Sequence, residues 1–269
     1  MAGNMAGKVQ VVVNEKGGVG KTTCSVQIAY ELAERGKRVC VIDNDPSGDA
    51  TTALCGANIS DSIRHGNKPK AVSNTIKLYS PDSEFSPFKV AKNLFLMGAT
   101  DVLSALNGTD MKPADYFRDA IERLRKEFNY IIIDCPPSFG FLLTSAMLAS
   151  SSGGVLIPMI PEELSFKASK KVKSRIDKMN ARIEKKVKIL GIFANKVKNN
   201  PITQSEKYYL GKMDKEYGSL VFKTRVHLTV KISDAIALQE KVSRYTKRDS
   251  KAAQQIASLT DEVIARLEG

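Results

Sequence analysis

Histidine and cysteine are scarce in this chain of 269 residues, with two of the first and four of the second. His65 and His227 are too few for a histidine-rich metal centre and read as ordinary loop or surface residues. Cys24, Cys40, Cys55 and Cys135 stand far apart with no C-x-x-C pair, which argues against a disulfide framework or a cysteine zinc site and fits a reducing cytoplasm. No run of about 18 apolar residues is present to cross a bilayer, and the first residues lack a signal-peptide pattern. Acid is also short: 29 Asp and Glu against 41 Lys and Arg leave a formal charge of +12. Such a balance points to an anionic partner, either nucleic acid or an acidic membrane surface.

What is present alternates. KVQVVVN (8–14) is a β-branched run expected as a buried strand, and a glycine-rich loop follows it. TTCSVQIAYELAERGKR then carries apolar residues at helical spacing as far as Gly36, and VCVID (39–43) is a second strand. Strand, loop, helix and strand in this order make a βαβ unit and predict a parallel sheet. NLFLMG (93–98), YIIID (130–134), GGVLIPMI (153–160), VKILGIFAN (187–195) and SLVFKTRV (219–226) read as further strands. Ala114–Phe128 and Ser250–Leu267 read as helices. YIIID has no polar face, as expected of a strand covered on both sides. The fold class predicted is therefore α/β: a mostly parallel, twisted sheet flanked by helices on both faces. One domain of this size buries a substantial core. Residues 57–92 are polar and without a clear period, and are expected as a surface excursion. The opening MAGNMAG repeats itself, so Met5 reads as the natural start and residues 1–7 as disordered or foreign to the fold, with no separate N-terminal DNA-binding domain.

The chemistry begins at EKGGVGKTT (15–23). Glycines let successive backbone N–H groups turn onto phosphate oxygens, and the helix that follows adds its N-terminal partial charge. Lys21 is spaced to reach the β- and γ-phosphates, and the Thr22 hydroxyl can ligate Mg²⁺. Glu15 occupies the position where an ordinary phosphate loop has its first glycine, and a second lysine, Lys16, follows at once.

KGGVGKTT resembles the deviant Walker A loop of the partition and positioning ATPases, the ParA/Soj and MinD proteins, within a wider group that includes the nitrogenase iron protein. VIDNDPSGDAT (41–51) and IIIDCPPSFG (131–140) are similar to the later segments of ParA proteins in the same order, so the resemblance spans nearly the whole chain. It implies an ATPase that dimerises around ATP and Mg²⁺. Lys16 would cross the dimer interface to the nucleotide held by the other subunit, where a cation offsets triphosphate charge in a water-poor site. Gly17, Gly18, Val19, Gly20, Lys21, Thr22 and Thr23 would line the phosphates. Asp134, ending a strand beside the loop, would hold the metal with Thr22. Asp45 would orient the attacking water, and Asp43 would help the magnesium shell. Ser47 and Asp49 replace the usual Gln and Asn of this switch. Asn195, after the end of a strand, is expected at the base together with Val226 and His227, although His227 stands where the family has Pro.

From Pro161 to Arg248 the chain has 22 Lys or Arg against 9 Asp or Glu. The resemblance implies nonspecific DNA binding through scattered basic residues, for which the candidates are Lys170, Lys171, Lys173, Lys196, Lys198, Lys231, Arg244, Lys247 and Arg248. It also implies a ParB-like partner that stimulates hydrolysis, and a cytoplasmic, nucleoid-associated location. A MinD-like membrane ATPase is the alternative. It needs an amphipathic C-terminal helix, and IASLTDEVIARLEG lacks aromatics and carries more acid than base. An electron-transfer ATPase would need cysteines in a C-G-G-F setting; DCPPS is different, and Cys135 reads as a buried, inert residue.

Overall fold

The computed structural model describes residues 6–64, 73–198 and 201–269. Its first strand, β1 (Lys8–Val12), runs into the glycine loop and then into α1 (Lys21–Glu34) and β2 (Val39–Asp43). The expected βαβ unit is therefore present. After α2 (Asp49–Arg64) come β3 (Phe88–Ala91), β4 (Leu94–Met97), α3 (Lys112–Leu124), β5 (Tyr130–Asp134), α4 (Phe141–Leu148) and β6 (Gly154–Met159). The second half adds α5 (Glu163–Asn180), β7 (Ile189–Ala194), α6 (Gln204–Tyr217), α7 (Val230–Ala237), α8 (Val242–Tyr245) and α9 (Lys251–Glu268).

The seven strands form one sheet in the order β3-β4-β2-β5-β1-β6-β7, parallel throughout except for β3 at the edge. Alternate side chains feed two cores. Val9, Val11, Ile131 and Ile133 point into a layer that contains Phe117, Leu142 and Phe166, while Val12, Tyr130 and Ile132 face a layer with Ile28, Leu32, Ile256 and Val263. That two-sided burial is why these strands read as unbroken apolar runs in the sequence. β1 lies between β5 and β6, with every pair in parallel register, so the carboxyl ends of β1, β2 and β5 open into one crevice. Open α/β sheets bind ligands at this edge.

Three expectations need correction. Residues 57–92 are more than a surface excursion: 57–64 continue α2, Thr75–Tyr79 form a 3-10 helix, and β3 joins the sheet antiparallel to β4. Residues 65–72, including His65, lie outside the described residues. Gly7 belongs to the fold, because its N–H donates to the Arg125 carbonyl at 2.8 Å and it is buried. Residues 219–226 are no strand. Their N–H groups donate to β7 at only two points, Phe222 to the Ile192 carbonyl and Val226 to the Ala194 carbonyl, both at 2.9 Å. Meanwhile the Arg266 guanidinium takes the carbonyls of Ser219, Leu220 and Val221. A side chain has replaced the neighbouring strand as hydrogen-bond partner, so no ladder forms.

Candidate functional site

The loop from Val13 to Gly20 is shaped by glycine where the backbone demands it. Gly18 (φ 73°) and Gly20 (φ 91°) lie in the left-handed region, and Gly20 caps α1. A Cβ at Gly20 would also collide with the Asn195 side-chain amide. Asn14 braces the start of the loop: its Nδ2 donates to the Pro158 carbonyl at 2.8 Å, and its Oδ1 accepts from the Lys16 N–H at 2.9 Å. Lys21 opens α1 and is buried, at the helix terminus where anions are favoured.

The two carboxylates expected at the metal, Asp43 and Asp134, sit side by side. Asp43 and Asp134 are register partners at the ends of β2 and β5, and both are fully buried. Asp134 accepts from the Thr22 hydroxyl at 2.7 Å and from the Ser25 hydroxyl at 2.8 Å. Asp43 accepts from the Thr51 N–H at 2.7 Å, the Thr51 hydroxyl at 2.6 Å and the Asp45 N–H at 3.2 Å. Burial pushes Asp43 up to about 8, with the neighbouring Asp134 charge adding to it. Burial likewise pushes Asp134 up to about 6, against the hydroxyl bonds from Thr22 and Ser25 and the charge of Lys21. Hard oxygen donors buried together in this way fit a magnesium ion. Thr22 and Asp134 could hold it directly or through water, with Asp43, whose oxygens are already engaged, behind them. Among the described residues no group of three or more His, Cys, Asp or Glu forms an all-protein metal cage.

Asp45 is half-buried and faces the crevice edge; its Oδ1 accepts from the Ser47 N–H at 3.0 Å. Arg64 holds the same turn, donating to the Ser47 carbonyl at 2.5 Å while pairing with Asp101. Asp49 stands in the first turn of α2, a favourable place for an acid.

Lys16 does not point into solvent. Its ammonium is paired with Glu162, the residue that caps α5 after β6, and both side chains remain partly exposed, at 27% and 42%. Next to it, Glu15 is paired with Arg175 at 2.7 Å, and the Arg175 guanidinium lies 4.0 Å from the Phe139 ring centre.

Asn195, Val226 and His227, the residues expected at the base, line a narrow cavity of about 90 Å³ together with Thr23 and Ile232. Asn195 is engaged within the chain: its Nδ2 donates to the Val19 carbonyl at 2.7 Å, bracing the phosphate loop. The His227 N–H donates to Gln255 Oε1 at 3.1 Å, and its ring contacts the same side chain. Burial holds the imidazole below its ordinary value, and Lys251 and Arg225 lower it further.

The family model described as an AAA domain matches residues 7–189. The chain belongs to that family. It is 28% identical over 263 residues to the sporulation initiation inhibitor protein Soj of Bacillus subtilis, covering 96% of this chain and 99% of Soj. It is 26% identical over 266 residues to the chromosome partitioning protein ParA of Caulobacter vibrioides, covering 96% and 94%. In fold it matches an ATP complex of a Cyanothece McdA variant with a TM-score of 0.79 at 18% identity, covering 97% of each chain. The resemblance to the ParA/Soj group read from the loop is thus shown, as is the P-loop fold.

The proposed DNA contacts are dispersed, and several are occupied. Lys196 Nζ donates to the Gly18 carbonyl at 2.7 Å, which ties it to the phosphate loop. Lys170 pairs with Glu216, Lys173 with Asp177 and Arg244 with Glu34. Lys171, Lys198, Lys231, Lys247 and Arg248 are exposed. Cys135 is fully buried, and burial raises its thiol well above the ordinary value. Sequence reasoning missed Asn14, Ser25, Thr51, Glu162, Arg175 and Gln255. Ser25 carried a signal, since it stands three residues after Thr22 on one helix face.

One pH dependence follows from the paired carboxylates. Asp43 and Asp134 have folded values above the roughly 4 of an unfolded aspartate. The stability linked to their protonation is therefore full at low pH and is lost as pH rises through about 6 and then about 8. Thermal melts without nucleotide or magnesium should show Asp43→Asn gaining stability over the unsubstituted protein as pH rises from 6 to 9 (roughly the span of those values). A gap that stays constant over this range would contradict the assignment.

Proposed function

We propose that the protein is a ParA-type ATPase: a dimer formed around Mg²⁺ and ATP that binds DNA without sequence preference and so segregates or positions a plasmid, a chromosome region or another cargo. A ParB-like partner stimulates its hydrolysis. The observation that carries the reading is one loop with two cationic ends: Lys16 lies at its mouth on an exposed carboxylate, and Lys21 lies at its base beside the Thr22–Asp134 pair.

The roles follow from that arrangement. The amides from Gly17 to Thr23 and the Lys21 ammonium would receive the phosphates, and Thr22 and Asp134 would hold a magnesium ion, which when bound would supply charge neutralisation for the phosphates. Asp43 keeps the turn after β2 in place through Thr51, and Asp45 orients the attacking water. Asn195 fixes the loop beside the base, with Val226 and His227 along the same slot. Lys16 exchanges Glu162 for the triphosphate of the partner subunit. A partly exposed pair such as Lys16–Glu162 is worth on the order of 1 kcal/mol, so little is lost in breaking it, whereas a lysine meeting several phosphate charges in a drier interface gains more. Dimerisation would then assemble the basic residues of two chains into one DNA-binding surface.

The membrane-bound alternative gains no support from α9. The apolar face of α9, with Ile256, Leu259, Val263 and Leu267, is buried against α1 and the sheet, so it has nothing to insert. Among the described residues no helix is long and apolar enough to cross a membrane.

Two outcomes test the reading. In nucleotide binding and turnover assays, Lys21→Ala should lose ATP binding, while Asp45→Ala should keep it with turnover reduced about 100-fold or more. Retention of the protein on duplex DNA should require a nonhydrolysable ATP analogue and fail with ADP or no nucleotide. With six or more phosphate contacts, affinity should fall by roughly 1,000-fold between about 50 and 200 mM salt. Equal retention with ADP would overturn the gating.

A further inference from the structure

α4 and α5 leave a groove between them on the side of the molecule below the phosphate loop. It encloses about 960 Å³ and is open along its length. Its floor is carbon: Phe139 before α4, Leu148 at the end of α4, Met179 on α5, and Ile183 beyond it, with Met111 at one side exposed to 45%. Its rim is cationic. Lys171, Arg175, Lys178 and Arg182 succeed one another at spacings of four, three and four, which puts them along one face of the α5 stretch. Lys170 adds a fifth cation, and no carboxylate is among the lining residues. Lys170 pairs outside the groove with Glu216 and Arg175 with Glu15, which leaves Lys171, Lys178 and Arg182 as the exposed rim charges.

We propose that this groove is the docking site for an acidic amphipathic helix of a partner protein. The apolar side chains of such a helix, recurring every three or four residues, would sit on the floor while its flanking Asp and Glu side chains meet the rim, the usual arrangement of a helix in a groove. Met111 and Met179 suit the task because unbranched thioether side chains repack around different apolar shapes. The observations disfavour the other occupants. Nucleic acid presents phosphates to a basic surface and gains nothing from a recessed apolar floor. A bilayer needs apolar groups that protrude, and here they lie beneath the cations. A second copy related by a two-fold axis would bring like charges together. Residues 65–72 carry Lys68 and Lys70 and no acid, so they too have the wrong charge. The groove shares a wall with the nucleotide site through Arg175, which reaches both Glu15 and the Phe139 ring. The docking inference itself does not depend on ATP.

The test is fluorescence anisotropy on the full chain without nucleotide. Its probe is a labelled helix of leucine and glutamate, about 18 residues or five turns long, with leucine on one face. Controls are the same residues scrambled, a leucine–lysine version, duplex DNA, and vesicles of phosphatidylglycerol and phosphatidylcholine. The leucine–glutamate helix should bind in the micromolar range, at least tenfold tighter than either peptide control. Met179→Glu, and separately Lys178→Glu with Arg182→Glu, should each weaken it at least tenfold. The charge reversals lie on exposed rim positions outside the expected DNA-contact residues, so they read docking even if Met179→Glu perturbs folding. Equal binding of the scrambled peptide, or unchanged binding by both variants, would overturn the proposal. So would a loss on Met179→Glu of DNA binding, vesicle binding or self-association in place of helix binding.

Discussion

The carboxyl ends of β1, β2 and β5 gather more charge than they can neutralise among themselves, and the rest of the site is arranged around that imbalance. Two aspartates, Asp43 and Asp134, are buried side by side, and burial alone makes their ionised forms costly. Hydroxyls and N–H groups from Thr22, Ser25, Thr51 and Asp45 supply hydrogen bonds, and Lys21 adds a positive charge that acts on Asp134 without offsetting its burial. Around the mouth the cations are held by partners within the chain. Lys16 is on Glu162, Arg175 on Glu15, and Lys196 on the Gly18 carbonyl. A magnesium–triphosphate would give each half what it lacks, a cation for the buried acids and anions for the loop. The same polarity explains why the loop begins a helix: α1 aims its N-terminal amides into the space between the two sets.

Much of this was legible in the sequence, for identifiable reasons. KVQVVVN, VCVID and YIIID are strands because both faces are covered, and their terminal residues Asp43 and Asp134 therefore emerge at the crevice. The phosphate loop could be read residue by residue because its chemistry is local. What could not be read is contact over distance. Glu162 lies 146 residues from Lys16, and nothing in PEELSF announces the pairing. SLVFKTRV has the composition of a strand, yet its carbonyls go to Arg266, a side chain beyond any local pattern. β3 was hidden in a polar stretch because an edge strand is only half-buried and so lacks an apolar run.

The basic charge needs the same separation of local from distant. Counting lysines and arginines marked the second half of the chain, but the count did not say which were spent. Lys241 is held by Glu31 and Glu34 at 2.6 Å each and is almost fully buried, a structural triad joining α1 to the segment before α8. Arg244 shares Glu34 with it. On the α5 stretch, Lys178 and Arg182 border an apolar trough and lie outside the candidate DNA contacts, whereas Lys170 and Lys171 line the same trough and are among those candidates.

The central claim is that Lys16 leaves its own Glu162 for the nucleotide of a second copy. Sedimentation velocity with magnesium and a nonhydrolysable ATP analogue tests it most directly. The account predicts that the unsubstituted protein doubles in mass, that Lys16→Ala binds the analogue but stays monomeric, and that Glu162→Gln dimerises at lower analogue concentration. A Lys16→Ala protein that dimerises as readily as the unsubstituted one would contradict it.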